Sequence, residues 1–218
     1  DDREIMRQLA QSGMDVARFN FSHGDYEEHR KRLEILQSVR EELDLPIAAL
    51  LDTKGPEIRT GRLKDGKKVT LKAGDFYTLT TEEIAGDAAR GYINYAGLPQ
   101  DVKAGDRILI DDGLIELTVL ETAEREIVCR VENGGELGEK KGVNVPNVKI
   151  RLPALTEKDK EDIRFGIDAG FDFVAASFVR SAGAVREIRR ILEENGSSMQ
   201  IIAKIENEEG IENIDAII

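Results

Sequence analysis

The chain has 218 residues, 40% of them hydrophobic and 34% charged, which is the composition of a soluble globular protein with room for one large domain or two small ones. Its 31 basic and 43 acidic residues leave a net charge of −12, which argues against bulk binding of nucleic acid or an anionic membrane, since both need a basic face. A lone Cys129 excludes an intrachain disulfide and a thiolate metal site, no apolar run approaches the ~20 residues of a membrane span, and no signal-peptide pattern opens the chain, so a reducing cytoplasm is the expected compartment.

The first residues enter a helix pattern directly, over Arg3–Gln11, and Met14–Phe21 then reads as a strand. Asp25–Leu43 is predicted as a helix: Asp25-Tyr26-Glu27-Glu28 has capping-box form, and Leu33, Leu36, Val39 and Leu43 make an apolar stripe. Pro46–Asp52 is a mostly apolar strand. Beyond it the texture changes, because 13 of the 20 glycines lie between Gly55 and Gly142. Short strand-like runs there (Lys68–Lys72, Tyr77–Thr81, Arg107–Asp111, Leu114–Leu120, Glu126–Glu132) are separated by Asp65-Gly66, Asp112-Gly113 and Asn133-Gly134-Gly135. That spacing predicts a small all-β module. Its net charge from Gly55 to Pro153 is −2, with 15 basic and 17 acidic residues, so the remaining −10 belongs to the flanks.

After the module, Leu155–Asp159 looks like a capped helix start, with Ile163 and Ile167 on the inner face and Gly170 at the end. Phe171–Val179 is a continuous apolar strand, as expected when both faces are covered. Ser181 is expected to cap a helix carrying Val185, Ile188, Ile191 and Leu192, which stops at Asn195-Gly196; Gln200–Ile205 is a strand, and Glu208 begins another helix. The flanks alternate helix and strand, which implies a parallel sheet into which the β module is inserted.

Polar residues end the flanking strands. Arg18, Asn20 and Ser22 share a face by their period of two, Asp52-Thr53 closes an apolar run, and Lys204 and Glu206 again share a face. In a βα barrel the C-terminal strand ends surround one mouth, so a cation, oxygen ligands and a carboxylate would meet there, an inventory suited to metal-assisted chemistry on a phosphorylated anion. Taken one at a time, each motif has a plainer reading. Lys204-x-Glu206 is an ordinary solvated pair, Asp52-Thr53 a turn cap, Arg18 an ordinary barrel-mouth salt bridge, Ser177 a tolerated small residue and His23 the lead-in to a helix. His29, inside a charged helix, is expected to be solvated.

At these residues the chain resembles the pyruvate kinase family. The strings Ala17–Gly24, Leu51–Gly61, Asp111–Ile115, Lys140–Pro146, Phe173–Arg180 and Ala203–Asn207 match it in order over essentially the whole length. The resemblance implies an α/β fold, a partial (βα)8 TIM barrel with an inserted all-β barrel domain. Residues 1–55 would be the first part of the barrel or A domain, 56–152 a B-domain lid, and 153–218 the truncated continuation of the barrel. Met14–Phe21, Pro46–Thr53, Phe171–Val179 and Gln200–Glu206 would then be barrel strands two to five.

The family transfers a phosphoryl group from phosphoenolpyruvate to ADP, giving ATP and, after protonation of the enolate, pyruvate. By residue match, Lys204 is the cation beside the transferring phosphoryl group and the enolate oxygen, where fixed positive charge stabilises charge developing in the transition state. Arg18 is the phosphate-binding arginine. Asn20, Ser22, Asp52 and the Thr53 carbonyl match a K⁺ site of hard oxygen ligands, and Glu57 stands where K⁺-dependent members carry Glu. Glu206 matches one of two carboxylates holding Mg²⁺ or Mn²⁺. Arg59 and Lys141 match nucleotide-phosphate contacts, with His23 and Asp112 as weaker matches nearby. Ser177 and Phe178 match the substrate-pocket wall.

Further expectations follow from the same resemblance: a homotetrameric parent enzyme in the cytoplasm, with no nucleic-acid or membrane partner. The second metal carboxylate should lie outside this sequence, so the 218 residues are expected to be part of a longer enzyme and inactive alone. The alternative is a non-catalytic folded fragment, or a lid module that binds nucleotide by itself. A phosphoenolpyruvate-type aldolase barrel lacks the Leu51–Gly61 string followed by a lid.

Overall fold

Asp2 caps the first helix, α1 (Arg3–Gln11), in the computed structural model, which describes residues 2–218: its carboxylate accepts from the Glu4 and Ile5 amides at 2.8 and 3.3 Å. Strand β1 (Val16–Asn20) follows, then helix α2 (Tyr26–Leu43), capped by Asp25 through the Glu28 amide at 2.9 Å and ended by Asp44 in the left-handed region. Next comes β2 (Ala48–Asp52). Beyond the β-rich stretch, α3 (Glu157–Ala169) begins with a full capping box between Thr156 and Asp159 and ends at Gly170, whose φ of 84° only a glycine adopts freely. Then come β3 (Phe173–Ala176), α4 (Ala182–Glu194), β4 (Gln200–Ala203) and two short helices, α5 (Glu208–Glu212) and α6 (Ile214–Ile217). Ser181 stands at the N-cap of α4 but makes no side-chain cap bond.

The four strands form one parallel sheet in the order β1-β2-β3-β4, with Asn20 paired to Asp52, Ala175 to Asp52, and Ala176 to Ala203. Sequential parallel order with a helix or a longer excursion between strands is the pattern of an α/β barrel, and this sheet is half of one. Ala17 and Phe19 of β1 and Ala49 and Leu51 of β2 are buried with Leu33, Leu36, Val39, Ile163, Val174 and Ile188, forming the core between sheet and helices. Arg18 and Asn20 take the alternate positions of β1, on the other face. The strands are shorter than the apolar runs suggest: β1 and β2 start two residues later, at Val16 and Ala48, and β3 stops at Ala176, before Phe178, whose φ of 56° turns the chain.

By its contacts the chain divides into two compact units, residues up to Pro56 with Pro153–Ile218, and Glu57–Leu152. The second is a seven-stranded sheet in the order Ile58–Arg59, Gly142–Asn144, Arg107–Ile110, Ile115–Thr122, Glu126–Asn133, Phe76–Thr80, Arg90–Tyr92, with a two-stranded ribbon of Val69–Leu71 and Gly135–Leu137. Every pairing is antiparallel except that of Phe76–Thr80 with Arg90–Tyr92. It has its own core around Tyr77, Leu79, Ile108, Leu117 and Ile127. Cys129 is buried there, and burial pushes its thiol up to about 12. Among the described residues no helix is long and apolar enough to cross a membrane.

Gly166 shows how closely α3 approaches the sheet: a Cβ there would lie 2.6 Å from Leu51 Cδ1. Helix propensity alone makes Gly→Ala worth about 1 kcal/mol in favour of the folded state. Leu51 is fully buried, so its side chain can give way only by pressing into its core neighbours, and overpacking is expected to win. Gly166→Ala is expected to lower stability by about 1–2 kcal/mol net, read as a lower urea midpoint; a raised midpoint would show that the sheet yields.

Candidate functional site

Asp52, at the last position of β2, is 2% exposed, and a buried carboxylate needs charged or hydrogen-bonding partners. It finds them on three other strands. From β1, Arg18 places Nε and Nη2 each 2.5 Å from Oδ2. From the end of β4, Lys204 Nζ lies 3.0 Å from Oδ1. From the end of β3, the Ser177 hydroxyl lies 3.4 Å from Oδ1. Since β4 is not a neighbour of β2, Lys204 reaches across β3, and Ser177 supports it on the way: its Oγ accepts from Lys204 Nζ at 2.9 Å and donates to the Thr53 carbonyl at 2.6 Å. Glu206 Oε1 adds a third oxygen to the ammonium at 3.5 Å. Two cations and two carboxylates thus balance, while the Arg18 side chain stays 59% exposed. An exposed guanidinium beside a fixed ammonium suits a doubly charged anion such as a phosphate ester.

The backbone around this cluster is held as firmly. The Ser177 amide donates to Thr53 Oγ1 at 3.1 Å and the Phe178 amide to Glu206 Oε2 at 2.9 Å. That second bond steadies a bulky residue in the left-handed region, a conformation costing about 1–3 kcal/mol. Asn20 Oδ1 accepts from the Ser22 amide at 3.0 Å, turning the chain after β1. His23 is exposed, and its carbonyl accepts from His29 Nε2 at 3.0 Å.

His29 is a correction to the sequence reading. It is 2% exposed, not solvated, because its ring stacks on Phe21 at 4.1 Å. A carbonyl can only accept, so Nε2 carries the ring proton; Nδ1 is buried without a partner.

The other matched residues lie in the second unit. Arg59 makes a bidentate pair with Glu57, Nε–Oε2 2.5 Å and Nη2–Oε1 3.0 Å, which raises its pKa further. Lys141 Nζ meets Asp111 Oδ1 at 3.0 Å. Asp112, exposed at the hairpin tip, acts on Arg59 only through its charge. Residues 59 and 142 pair across the sheet, bringing Arg59, Lys141 and Asp111 together. Asp111, which the sequence reading did not single out, is the carboxylate that pairs with Lys141.

Donor chemistry separates the two expected metals. Asn20 Oδ1, Ser22 Oγ, Asp52 and the Thr53 carbonyl are hard oxygens carrying one formal charge at adjacent strand ends, which suits a large monovalent cation. Glu206 offers a single carboxylate, and the described residues contain no group of three or more His, Cys, Asp or Glu able to hold a metal. Among the described residues Glu206 is thus a lone carboxylate, one of the one or two that Mg²⁺ takes beside phosphate oxygens and waters. A cleft of about 650 Å³ lined by Arg40, Asp44, Ala48, Asp172 and Phe173 lies at the opposite ends of β2 and β3. There Asp172 Oδ2 accepts from the Ala49 amide at 2.7 Å and pairs with Arg40 at 3.4 Å, so its polar groups hold the fold together.

The family model described as "Pyruvate kinase, barrel domain" matches residues 1–218. Pyruvate kinase of Staphylococcus aureus is 48% identical over 220 residues, covering 100% of this chain and 37% of that protein, and pyruvate kinase of Clostridium acetobutylicum is 49% identical, covering 100% and 46%. A crystal structure of a pyruvate kinase from Cryptosporidium parvum superposes with a TM-score of 0.91 at 40% identity, over 99% of this chain and 46% of that one. The chain thus spans less than half the length of these relatives.

Burial of His29 depresses its pKa below the ordinary 6.5. A group whose folded value is depressed gives stability that is complete above its unfolded value and lost as pH falls below it. In an NMR titration the midpoint of the His29 ring is expected below 6.5, with global stability falling as pH drops through it. A midpoint at or above 6.5 would contradict the burial.

Proposed function

The chain belongs to the pyruvate kinase family, and we propose that it carries the phosphoryl-handling side of an enzyme that moves the phosphoryl group of phosphoenolpyruvate to ADP. The observation that supports this most is the convergence of Arg18, Asp52, Ser177, Lys204 and Glu206 at one set of strand ends. In the reaction an ADP β-phosphate oxygen attacks phosphorus, the bond to the enol oxygen breaks, and the enolate is then protonated on carbon to give pyruvate.

Arg18 binds and orients the phosphate through its exposed guanidinium. Lys204, fixed by three oxygens, faces the enol oxygen and stabilises its charge as the P–O bond breaks; it needs no reorganisation at that moment. Ser177 and Phe178 form the wall that sets substrate position. Asn20, Ser22, Asp52 and the Thr53 carbonyl would hold K⁺, which supplies fixed positive charge near the phosphate. Glu206 would give one carboxylate to a divalent ion; the donors here do not complete that site, and no step is assigned to it. In the second unit, Arg59 and Lys141 would contact nucleotide phosphates, with Asp111 and Glu57 holding them in place. A cytoplasmic location fits such an enzyme.

A second reading, a nucleotide-binding module, is favoured by the separate hydrophobic core of residues 57–152. Equal ADP affinity for that unit alone and for the whole chain, by calorimetry, would support it.

Lys204→Met in the full-length enzyme that carries this segment should lower kcat by about 10²–10³-fold, with a smaller change in the KM for phosphoenolpyruvate. A lactate-dehydrogenase-coupled assay of pyruvate formation reads it. No pyruvate from the wild-type enzyme would overturn the reading; an unchanged kcat in the variant would overturn the role of Lys204.

A further inference from the structure

Asp159 is fully buried, 0% exposed, at the start of α3. A capping box needs only one carboxylate oxygen, and here Oδ2 does that work, accepting from the Thr156 amide at 2.9 Å and hydroxyl at 2.6 Å. Oδ1 points the other way and accepts the Gly55 amide at 2.9 Å, across 104 residues of sequence. Gly55 is in the turn that leaves β2 just after Asp52 and Thr53, with a φ of 72°. This turn is pressed against the end of β3: a Cβ on Gly55 would lie 2.9 Å from both Ser177 Cβ and Ser177 O, and 3.0 Å from Phe178 Cδ2. Ser177 in turn holds Lys204 Nζ and the Thr53 carbonyl.

We propose that Asp159 is a positioning residue for the phosphoryl-transfer reaction: from outside the sheet it pins Gly55, and through that turn it sets Ser177 and the Lys204 ammonium. This rests on the pyruvate kinase reading of the site. Asp159 itself touches neither substrate nor the reacting atoms. Its second oxygen leaves Gly55 no freedom to retreat, so Ser177 and Phe178 keep one position, and a displacement of about 1 Å at reacting groups can cost up to about 100-fold in rate.

Thr156 separates positioning from helix capping. Thr156→Ala removes the cap and leaves Oδ1 on Gly55, whereas Asp159→Ala removes both. Amide hydrogen exchange on this chain should show the Gly55 amide exchanging at least about tenfold faster in Asp159→Ala and unchanged in Thr156→Ala. In the full-length enzyme, Asp159→Ala should lower kcat at least about tenfold, with the KM for ADP within about threefold. Thr156→Ala should lower Tm by about 2–4 °C yet keep kcat within about twofold.

Should Asp159→Ala fail to fold, the isosteric Asp159→Asn replaces it, and kcat must then follow the protection of the Gly55 amide across the folded variants. Equal kcat loss in Thr156→Ala and the Asp159 variant, or a kcat indifferent to Gly55 protection, overturns the proposal. An inactive wild-type enzyme would overturn the underlying reading instead, while the exchange result would still report on the Gly55 contact.

Discussion

One buried charge organises the first unit. Asp52 ends the second strand of the half-barrel where water scarcely reaches it, and an ionised carboxylate there must be compensated or it would destabilise the fold. Compensation comes from both sides: Arg18 from the adjacent strand and Lys204 from the strand beyond the next. Ser177, on the strand between, fills the gap under the lysine and ties it to the Thr53 carbonyl. The four strand ends are therefore coupled through one anion, and the same coupling holds two cations at the place where a phosphate could bind them. On the proposed reading, the feature that stabilises the sheet would also prepare the site, with most of its electrostatic work done before substrate arrives.

The backbone carries a cost that these side chains offset. Phe178 lies in a region that bulky residues avoid, and Gly55 takes a positive φ in a turn too tight for a Cβ. Each is held by a carboxylate of its own, Glu206 for Phe178 and Asp159 for Gly55. Strain so placed persists only where the surroundings over-determine it, and here it lies beside the candidate site and not in the distant core.

Much of this could be read from the residues. Alternating apolar runs and helix caps placed all four sheet strands and their helices, because period and capping are local properties. Strand limits were less legible, since Phe171–Val179 remains apolar past the point where Phe178 turns the chain. The strands Ile58–Arg59, Arg90–Tyr92, Gly135–Leu137 and Gly142–Asn144 were missed; two or three residues are too few to show a period of two. His29 misled because its helix neighbours are charged, while its burial depends on Phe21, eight positions earlier. Asp159 was visible as a cap, but its bond to Gly55 spans an inserted unit and leaves no local trace. The pairing of Lys141 with Asp111 likewise depends on how the Asp111–Gly113 turn projects, which two adjacent aspartates cannot reveal.

That Asp52 organises the cations is tested most directly by phosphoenolpyruvate affinity in Asp52→Asn, measured by calorimetry on the full-length enzyme in potassium-free buffer, so that loss of a cation ligand does not enter. Removing a negative charge near an anionic ligand should tighten binding if charge alone mattered. The organising role predicts the opposite sign: at least about tenfold weaker binding, because Arg18 and Lys204 lose the anchor that aims them. Equal or tighter binding would contradict it.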